Sequence, residues 1–284
     1  MMIILNSFKK YLLIPMVCGW LMLSAHAEEP IRFGVMPFLS AIDIMERFTP
    51  LVDLLEKQLA HPIKLVIPGN FQQLIDDLGE QKLDFVYFGP VPYLHLVKQY
   101  GPQPILAMEE LAGKPNYHGV IFVRQESDIQ KLQDLKGKRF TFGDPDSTMN
   151  HTVPRAMLFQ AGISLNDLAE HRFVGNNQNV VLAVLMGHAD AAGIKEDIYN
   201  KYQERGLRVI ARSLPVPNLL YVAGRHRPES WVERMRQALT VMHQTPEGLA
   251  ALKKIQPDTS ALIPATDDTF QELRKFLDSD VVKP

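Results

Sequence analysis

Phe142-Gly143-Asp144-Pro145-Asp146-Ser147-Thr148-Met149-Asn150-His151 decides how this chain is read. The β-rich run Arg139–Phe142 ends here, Gly143 and Pro145 turn the chain, and a helical pattern spanning Thr148–Gln160 begins. Such a handover from strand to helix is half of a β-α-β unit. The first N–H groups of a helix lack partners inside it, and its dipole is positive at that end. The turn can therefore hold an anion without any cationic side chain, and the Ser147 and Thr148 hydroxyls can donate to phosphoryl or carboxylate oxygens. The other reading is that Asp146 or Ser147 simply caps the helix; such caps are common, and spacing alone favours the cap.

Upstream, strands at Ile31–Met36, Ile63–Ile67 and Asp84–Phe88 alternate with helices at Ala41–Leu59, Phe71–Leu78 and Val91–Lys98. A second unit follows the turn Gly113-Lys114-Pro115-Asn116. Its predicted strands are His118–Val123, Arg139–Phe142, His171–Val174, Ala189–Ile194 and Leu207–Ala211, with helices at Thr148–Gln160, Asn179–Met186 and Glu196–Glu204. After Pro215-Val216-Pro217 comes one more strand, Leu219–Ala223, and then a helical tail at Pro228–Gln244, Pro246–Lys254 and Asp267–Leu277. A helix cluster without a sheet must pack on one, so the tail is expected to return to the first unit. This gives two lobes, residues 28–116 with 224–284 and residues 117–223, each a mostly parallel sheet flanked by helices.

Ligands of open α/β sheets sit beyond the C-terminal strand ends, and two facing sheets can close on a small molecule like a hinge. Those ends are Phe38, Tyr87 to Pro90, Asp144 to His151, Asn176 to Asn179, and Lys195. Gly89 lets backbone approach a ligand, while Tyr87 and Tyr93 each offer a ring face and a hydroxyl. Equally, Tyr87 can belong to the core and Tyr93 can cover a helix. Tyr117 and His118, at the crossover between lobes, carry the same ambiguity. Lys195 facing the cleft would repel an aminoalkyl group and favour a second negative charge. It reads as readily as a solvated lysine opening the next helix.

The ends and the composition set the compartment. Lys9 and Lys10 precede an apolar run from Tyr11 to Leu23, and Ser24-Ala25-His26-Ala27 supplies small residues for a signal peptidase. The expectation is a cleavable secretory signal over residues 1–27 and a mature chain in the periplasm. The apolar run is shorter than the roughly 20 residues of a membrane span. Cys18, the one cysteine, follows Pro15-Met16-Val17 rather than the small residue that lipidation requires. The mature chain thus has neither a disulfide nor a thiolate metal site, and core burial must stabilise it. Its formal charge is 28 − 32 = −4, with mixed signs, which argues against nucleic acid as a partner.

Taken together, these segments resemble the phosphate/phosphite/phosphonate family of ABC-transporter substrate-binding proteins. The resemblance rests on Lys138-Arg139-Phe140-Thr141-Phe142-Gly143-Asp144-Pro145-x-Ser147-Thr148 followed by Val153-Pro154-Arg155-Ala156-Met157-Leu158. Asp84-x-x-Tyr87-x-Gly89-Pro90-x-x-Tyr93 and Tyr117-His118-x-Val120-Ile121-x-Val123-Arg124 match as well. So do Asp134-Leu135-Lys136-Gly137-Lys138 and Ala189-Asp190-Ala191-Ala192, and the likeness runs from about Ile31 to Arg225. It implies a two-lobed type II periplasmic-binding-protein fold with a small oxyanion in the cleft. Ser147 and Thr148 would hold the anion while Tyr87, Tyr93, Tyr117 and His118 close over it. Two departures stand out. Met149 and Asn150 replace the family's usual Ser-Gly, so one donor is lost or supplied by Asn150 or His151. The second-lobe loop, often bearing a histidine and an acid, is Gly175-Asn176-Asn177-Gln178-Asn179, which makes Asn177 a candidate.

Catalysis has little support. There is no nucleophile-elbow glycine pattern, HExxH or phosphate-loop lysine motif. The nine histidines show no metal-ligand spacing, and a zinc site at His118 and His151 would need carboxylates such as Asp144. The expectation is a monomeric binding protein, not an enzyme, without cofactor or metal, handing a small anion to an ABC permease. The rival is a periplasmic sensor of the same fold that signals to a membrane receptor or kinase, which fold cannot separate from transport.

Overall fold

The computed structural model describes residues 29–278, and the secretory segment read at residues 1–27 lies outside them. Strands β1 (Ile31–Val35), β2 (Ile63–Val66), β3 (Phe85–Phe88) and β4 (Ile105–Leu111) build the first sheet, together with two strands from much later in the chain. Helices α1 (Ala41–Leu59), α2 (Phe71–Gly79) and α3 (Pro90–Tyr100) connect them. Helix α1 starts where Ser40 accepts the Asp43 N–H, and it buries Ile44, Phe48, Leu51, Val52 and Leu55 on one face. That spacing is the apolar stripe of an amphipathic helix. Beneath it, Phe33 and Phe85 stack with ring centroids 4.2 Å apart.

Two short strands, β5 (Asn116–Tyr117) and later β11 (Val216–Pro217), pair antiparallel where the chain passes between sheets. Between them lie β6 (Gly119–Arg124), β7 (Arg139–Phe142), β8 (Glu170–Phe173), β9 (Ala191–Lys195) and β10 (Leu207–Arg212). A π-helical turn, Thr148–Thr152, runs directly into α4 (Val153–Gln160), and α5 (Asn177–Leu185) and α6 (Glu196–Asn200) follow. The chain then returns as β12 (Leu220–Ala223), α7 (Glu229–Thr240), α8 (Pro246–Ile255), β13 (Thr259–Ile263) and α9 (Gln271–Asp278). The strand orders are β13-β4-β12-β3-β1-β2 and β10-β6-β9-β7-β8.

The two-lobed α/β architecture stands, with three corrections to the sequence reading. Both sheets are mixed rather than mostly parallel: β1 is parallel to β2 and β3, and β7 to β8 and β9, but β12, β13, β6 and β10 run antiparallel to their neighbours. Strands β6 and β12 enter straight from the hinge, with no crossover helix to reset their direction. Second, Leu220–Ala223 belongs to the first sheet, between β3 and β4, although the second lobe was expected to extend to residue 223. Third, the tail is not all helix, because β13 pairs with β4 at the sheet edge while α8 packs on α1 and α7 on β4.

The lobes share a fastening at the entrance of their sheets. Arg32, on β1, donates its own N–H to Asp84 Oδ2 at 2.6 Å and grips both carboxylate oxygens with its guanidinium. Arg139, on β7, does the same to Asp190, with the N–H at 2.8 Å. Each aspartate precedes the strand paired with that of its arginine, so the two motif aspartates, Asp84 and Asp190, set strand register away from the cleft.

Candidate functional site

Between the lobes lies a cavity of about 60 Å³. By the rule that one water needs ~10–15 Å³ of such space, it has room for a handful of waters. The first lobe lines it with Phe38, Phe71, Gly89, Leu219 and Gln256. The second supplies Ser147, Thr148, Met149, Asn150, Asn176, Asn177 and Lys195, and the hinge adds Tyr117. Lys195 is the one charged side chain among these lining residues.

Three helices begin at this cavity. Helix α3 starts after Gly89, the Thr148–Thr152 turn after Ser147, and α5 after Asn176. The Thr148–Thr152 turn and α5 present first-turn N–H groups and a positive dipole end, the ordinary chemistry of an anion site. Helix α3 adds only its dipole end, because Pro90 and Pro92 carry no N–H and Thr148 takes that of Val91. Asn176 and Ser147 both cap their helices, accepting the N–H of Asn179 at 3.0 Å and of Asn150 at 3.2 Å. The cap reading of Ser147 is thus realised, yet the hydroxyl proton remains free to donate, because a serine oxygen accepts and donates independently. Wider than an α-turn, the π-turn brings Asn150 to Asn177, whose Oδ1 accepts its side-chain amide at 2.7 Å. Rare π-turns of this kind concentrate at functional sites.

Thr148 is 4% exposed and has a different task. Its Oγ1 accepts the Val91 N–H from the opposite lobe at 3.1 Å. Gly89 makes room for this: a Cβ there would stand 2.9 Å from Thr148 Oγ1. His95 Nδ1 and Asp146 Oδ1 also meet across the cleft at 3.0 Å. These contacts hold the lobes together around the cavity.

Four candidate residues lie elsewhere. Tyr87 is fully buried in the first-lobe core against Phe48 and Tyr221, and its hydroxyl donates to Glu109 Oε1 at 2.9 Å. Tyr93 packs on Phe270 and donates to Asp267 at 2.7 Å, tying α3 to the tail. His118 donates from Nδ1 to the Ser213 carbonyl at 2.9 Å, beside the hinge. His151 donates from Nδ1 to the Pro145 carbonyl at 2.6 Å, wedged between Phe142 and Phe173. Burial holds its pKa below the usual histidine value, so its ring braces the turn as a neutral group. The reason is common to all four: a hydroxyl or ring nitrogen of each is held by a partner that does not line the cavity. Conversely, Phe71, Ile198, Leu219 and Gln256 line the cavity and were not anticipated. Gln256 follows α8 in the tail, and no local signal places it there.

The buried charges lie behind Lys195. Its Nζ is 4.9 Å above the Tyr117 ring and 3.2 Å from Asp197 Oδ2. Glu109, from β4, is buried from the other side; burial drives its pKa up to about 7, against the pull of Lys195 and the Tyr87 hydrogen bond. Among the described residues, no group of three or more His, Cys, Asp or Glu could hold a metal ion.

Two α/β lobes on a two-strand hinge, closed over a donor-lined cavity, define the class of two-lobed solute-binding proteins. A family model for the periplasmic substrate-binding proteins of phosphonate ABC transporters matches residues 33–270, and the chain belongs to that family. It is 26% identical over 245 residues to the phosphonates-binding periplasmic protein of Escherichia coli, a match covering 81% of this chain and 72% of that protein. Its fold is shared with PhnD1 of Prochlorococcus marinus in complex with methylphosphonate, at TM-score 0.80 and 18% identity over 87% of this chain and 96% of that one. A binding-protein component of an ABC phosphonate transporter from Pseudomonas aeruginosa superposes at TM-score 0.79 and 19% identity, covering 87% and 85% of the two chains.

Proposed function

We propose that this chain captures a small oxyanion of the phosphonate or phosphate class in its interlobe cavity and presents it to the permease of an ABC importer. One observation carries this reading: three helix starts from two lobes converge on a cavity sized for a few non-hydrogen atoms. Family membership and the names of its relatives support the ligand class and a periplasmic location. In this reading Ser147, the N–H groups of Thr148 and Met149, and the amides of Asn150 and Asn177 hold the oxyanion. Gly89 and Tyr117 close against it, while Thr148 locks the lobes. Bending at β5 and β11 opens the cleft, with residues 29–115 and 218–278 moving as one body and residues 118–215 as the other. The permease then reads the closed shape.

Calorimetry and thermal unfolding with methylphosphonate, phosphite, phosphate, methanesulfonate and acetate test it. A ligand at a hundred times its Kd stabilises the folded state by about 2.7 kcal/mol. Phosphonate or phosphate should therefore raise Tm clearly and be recovered chemically unchanged. If none of these anions binds, the oxyanion reading fails.

A further inference from the structure

Lys195 is 5% exposed, and its Nζ makes no hydrogen bond although it lines the cavity. Asp197 Oδ2 sits 3.2 Å away, and Tyr117 takes one face at 4.9 Å. Three ammonium protons need acceptors, and a buried donor left without one is costly. Behind Lys195, Glu109 Oε2 and Asp197 Oδ1 are also buried without partners. Neither carboxylate reaches the cavity wall, so a ligand meets the ammonium and not the acids. The oxyanion end of the cavity is formed separately, by Ser147 and the two asparagines.

Building on the oxyanion reading above, we propose that Lys195 forms a second subsite selecting ligands that carry a carboxylate next to their phosphonate or phosphate group. A carboxylate on a short carbon arm supplies the missing acceptor. A methyl group in its place leaves the ammonium desolvated and without a hydrogen-bond acceptor, its charge faced by Asp197 alone, and an amine would meet it charge to charge. The cavity limits the arm, since room for a handful of waters leaves space for no more than a single carbon between the charged ends.

The test is calorimetric titration of the purified protein with phosphonoacetate, methylphosphonate and 2-aminoethylphosphonate at one neutral pH. Phosphonoacetate should bind about tenfold to a hundredfold more tightly than methylphosphonate, the worth of one hydrogen bond to a charged group. 2-Aminoethylphosphonate should bind most weakly. Lys195→Met should erase the preference for phosphonoacetate while keeping methylphosphonate binding. Equal binding of phosphonoacetate and methylphosphonate by the wild type, or a preference surviving in Lys195→Met, overturns the subsite and leaves the oxyanion reading intact. Should Lys195→Met not fold, the wild-type ranking still decides, because tight binding of 2-aminoethylphosphonate is incompatible with a buried ammonium lining the cavity. If no phosphonate binds at all, both readings fall together.

Discussion

Gly89 and Thr148 face each other across the cleft so closely that a methyl group on Gly89 would stand 2.9 Å from the threonine hydroxyl oxygen. Gly89 has φ −83°, which any residue accepts, so backbone freedom does not explain the glycine; space does. Thr148 is β-branched and buried, and it cannot swing aside cheaply. Gly89→Ala should therefore leave each lobe folded and oppose their closure. Overpacking of this kind costs about 1–3 kcal/mol, so affinity should fall roughly fivefold to a hundredfold. Small-angle scattering at saturating ligand should then show a more open particle than wild type. Unchanged affinity would mean that the lobes do not meet through these residues when ligand is bound.

Ser147 and Thr148 are neighbours with separable roles. Ser147→Ala removes a helix cap and should lower stability by about 1 kcal/mol in urea unfolding. It should weaken binding as well, since the lost proton is also a ligand donor. Thr148→Val keeps the shape and leaves the Val91 N–H without its acceptor only when the lobes are closed. Its cost of about 1–3 kcal/mol should appear in affinity and hardly in the stability of the ligand-free protein. A stability loss without an affinity loss in Thr148→Val would place the hydroxyl in lobe folding instead of closure.

Much of this was legible in the sequence where local rules operate. Helix α1 is legible at Ala41–Leu59 because its apolar stripe is a local signal, and β7 ends where Gly143 and Pro145 punctuate the chain. Strand β4 was missed because Ala107-Met108-Glu109-Glu110-Leu111 is rich in helix formers, and it is a strand only because β12 and β13 flank it. The tyrosines show the same limit at the site. Tyr87 and Tyr93 occupy family motif positions, but their hydroxyls are claimed by Glu109 and Asp267, 22 and 174 residues away. Sequence spacing cannot reveal which partner a hydroxyl finds. Gly89, Tyr117, Ser147, Thr148, Asn150, Asn177 and Lys195 do converge, since each sits at a strand end or helix start whose direction the fold dictates.

Asp84 gives the first lobe an acid-sensitive fastening. Burial alone would raise its pKa, but hydrogen bonds from the Arg32 side chain and N–H, with Arg227 and His226 beside them, hold it at about 2 against an ordinary 3.8. A depressed carboxylate pKa stabilises the fold above the unfolded value and loses that contribution as the pH falls toward the folded one. The contribution is roughly 2 kcal/mol at neutral pH. Asp84→Asn should be less stable than wild type at neutral pH, with the gap narrowing between pH 3.8 and about 2. A gap that stays constant through that window would show that the pair's ionisation contributes nothing.

Glu109 should behave in the opposite sense. It enters from the first lobe, where Tyr87 bonds one carboxylate oxygen and the other has no partner, facing Lys195 and Asp197 of the second lobe. Burial raises its pKa from 4.5 to about 7, because Lys195 and Tyr87 offset the loss of water only in part. Between those values the folded chain keeps a proton that the unfolded chain has released, so stability falls as the pH rises. The loss by about pH 7 amounts to as much as roughly 3 kcal/mol. Glu109→Gln imitates the protonated acid, since its amide oxygen can still accept the Tyr87 hydroxyl. The variant should match wild type below pH 4.5 and exceed it in stability by a growing margin up to about pH 7. Urea unfolding of both proteins across that range, at fixed ionic strength, reads the margin directly. Parallel profiles would mean that Glu109 stays ionised in the fold, with Lys195 neutralising it throughout.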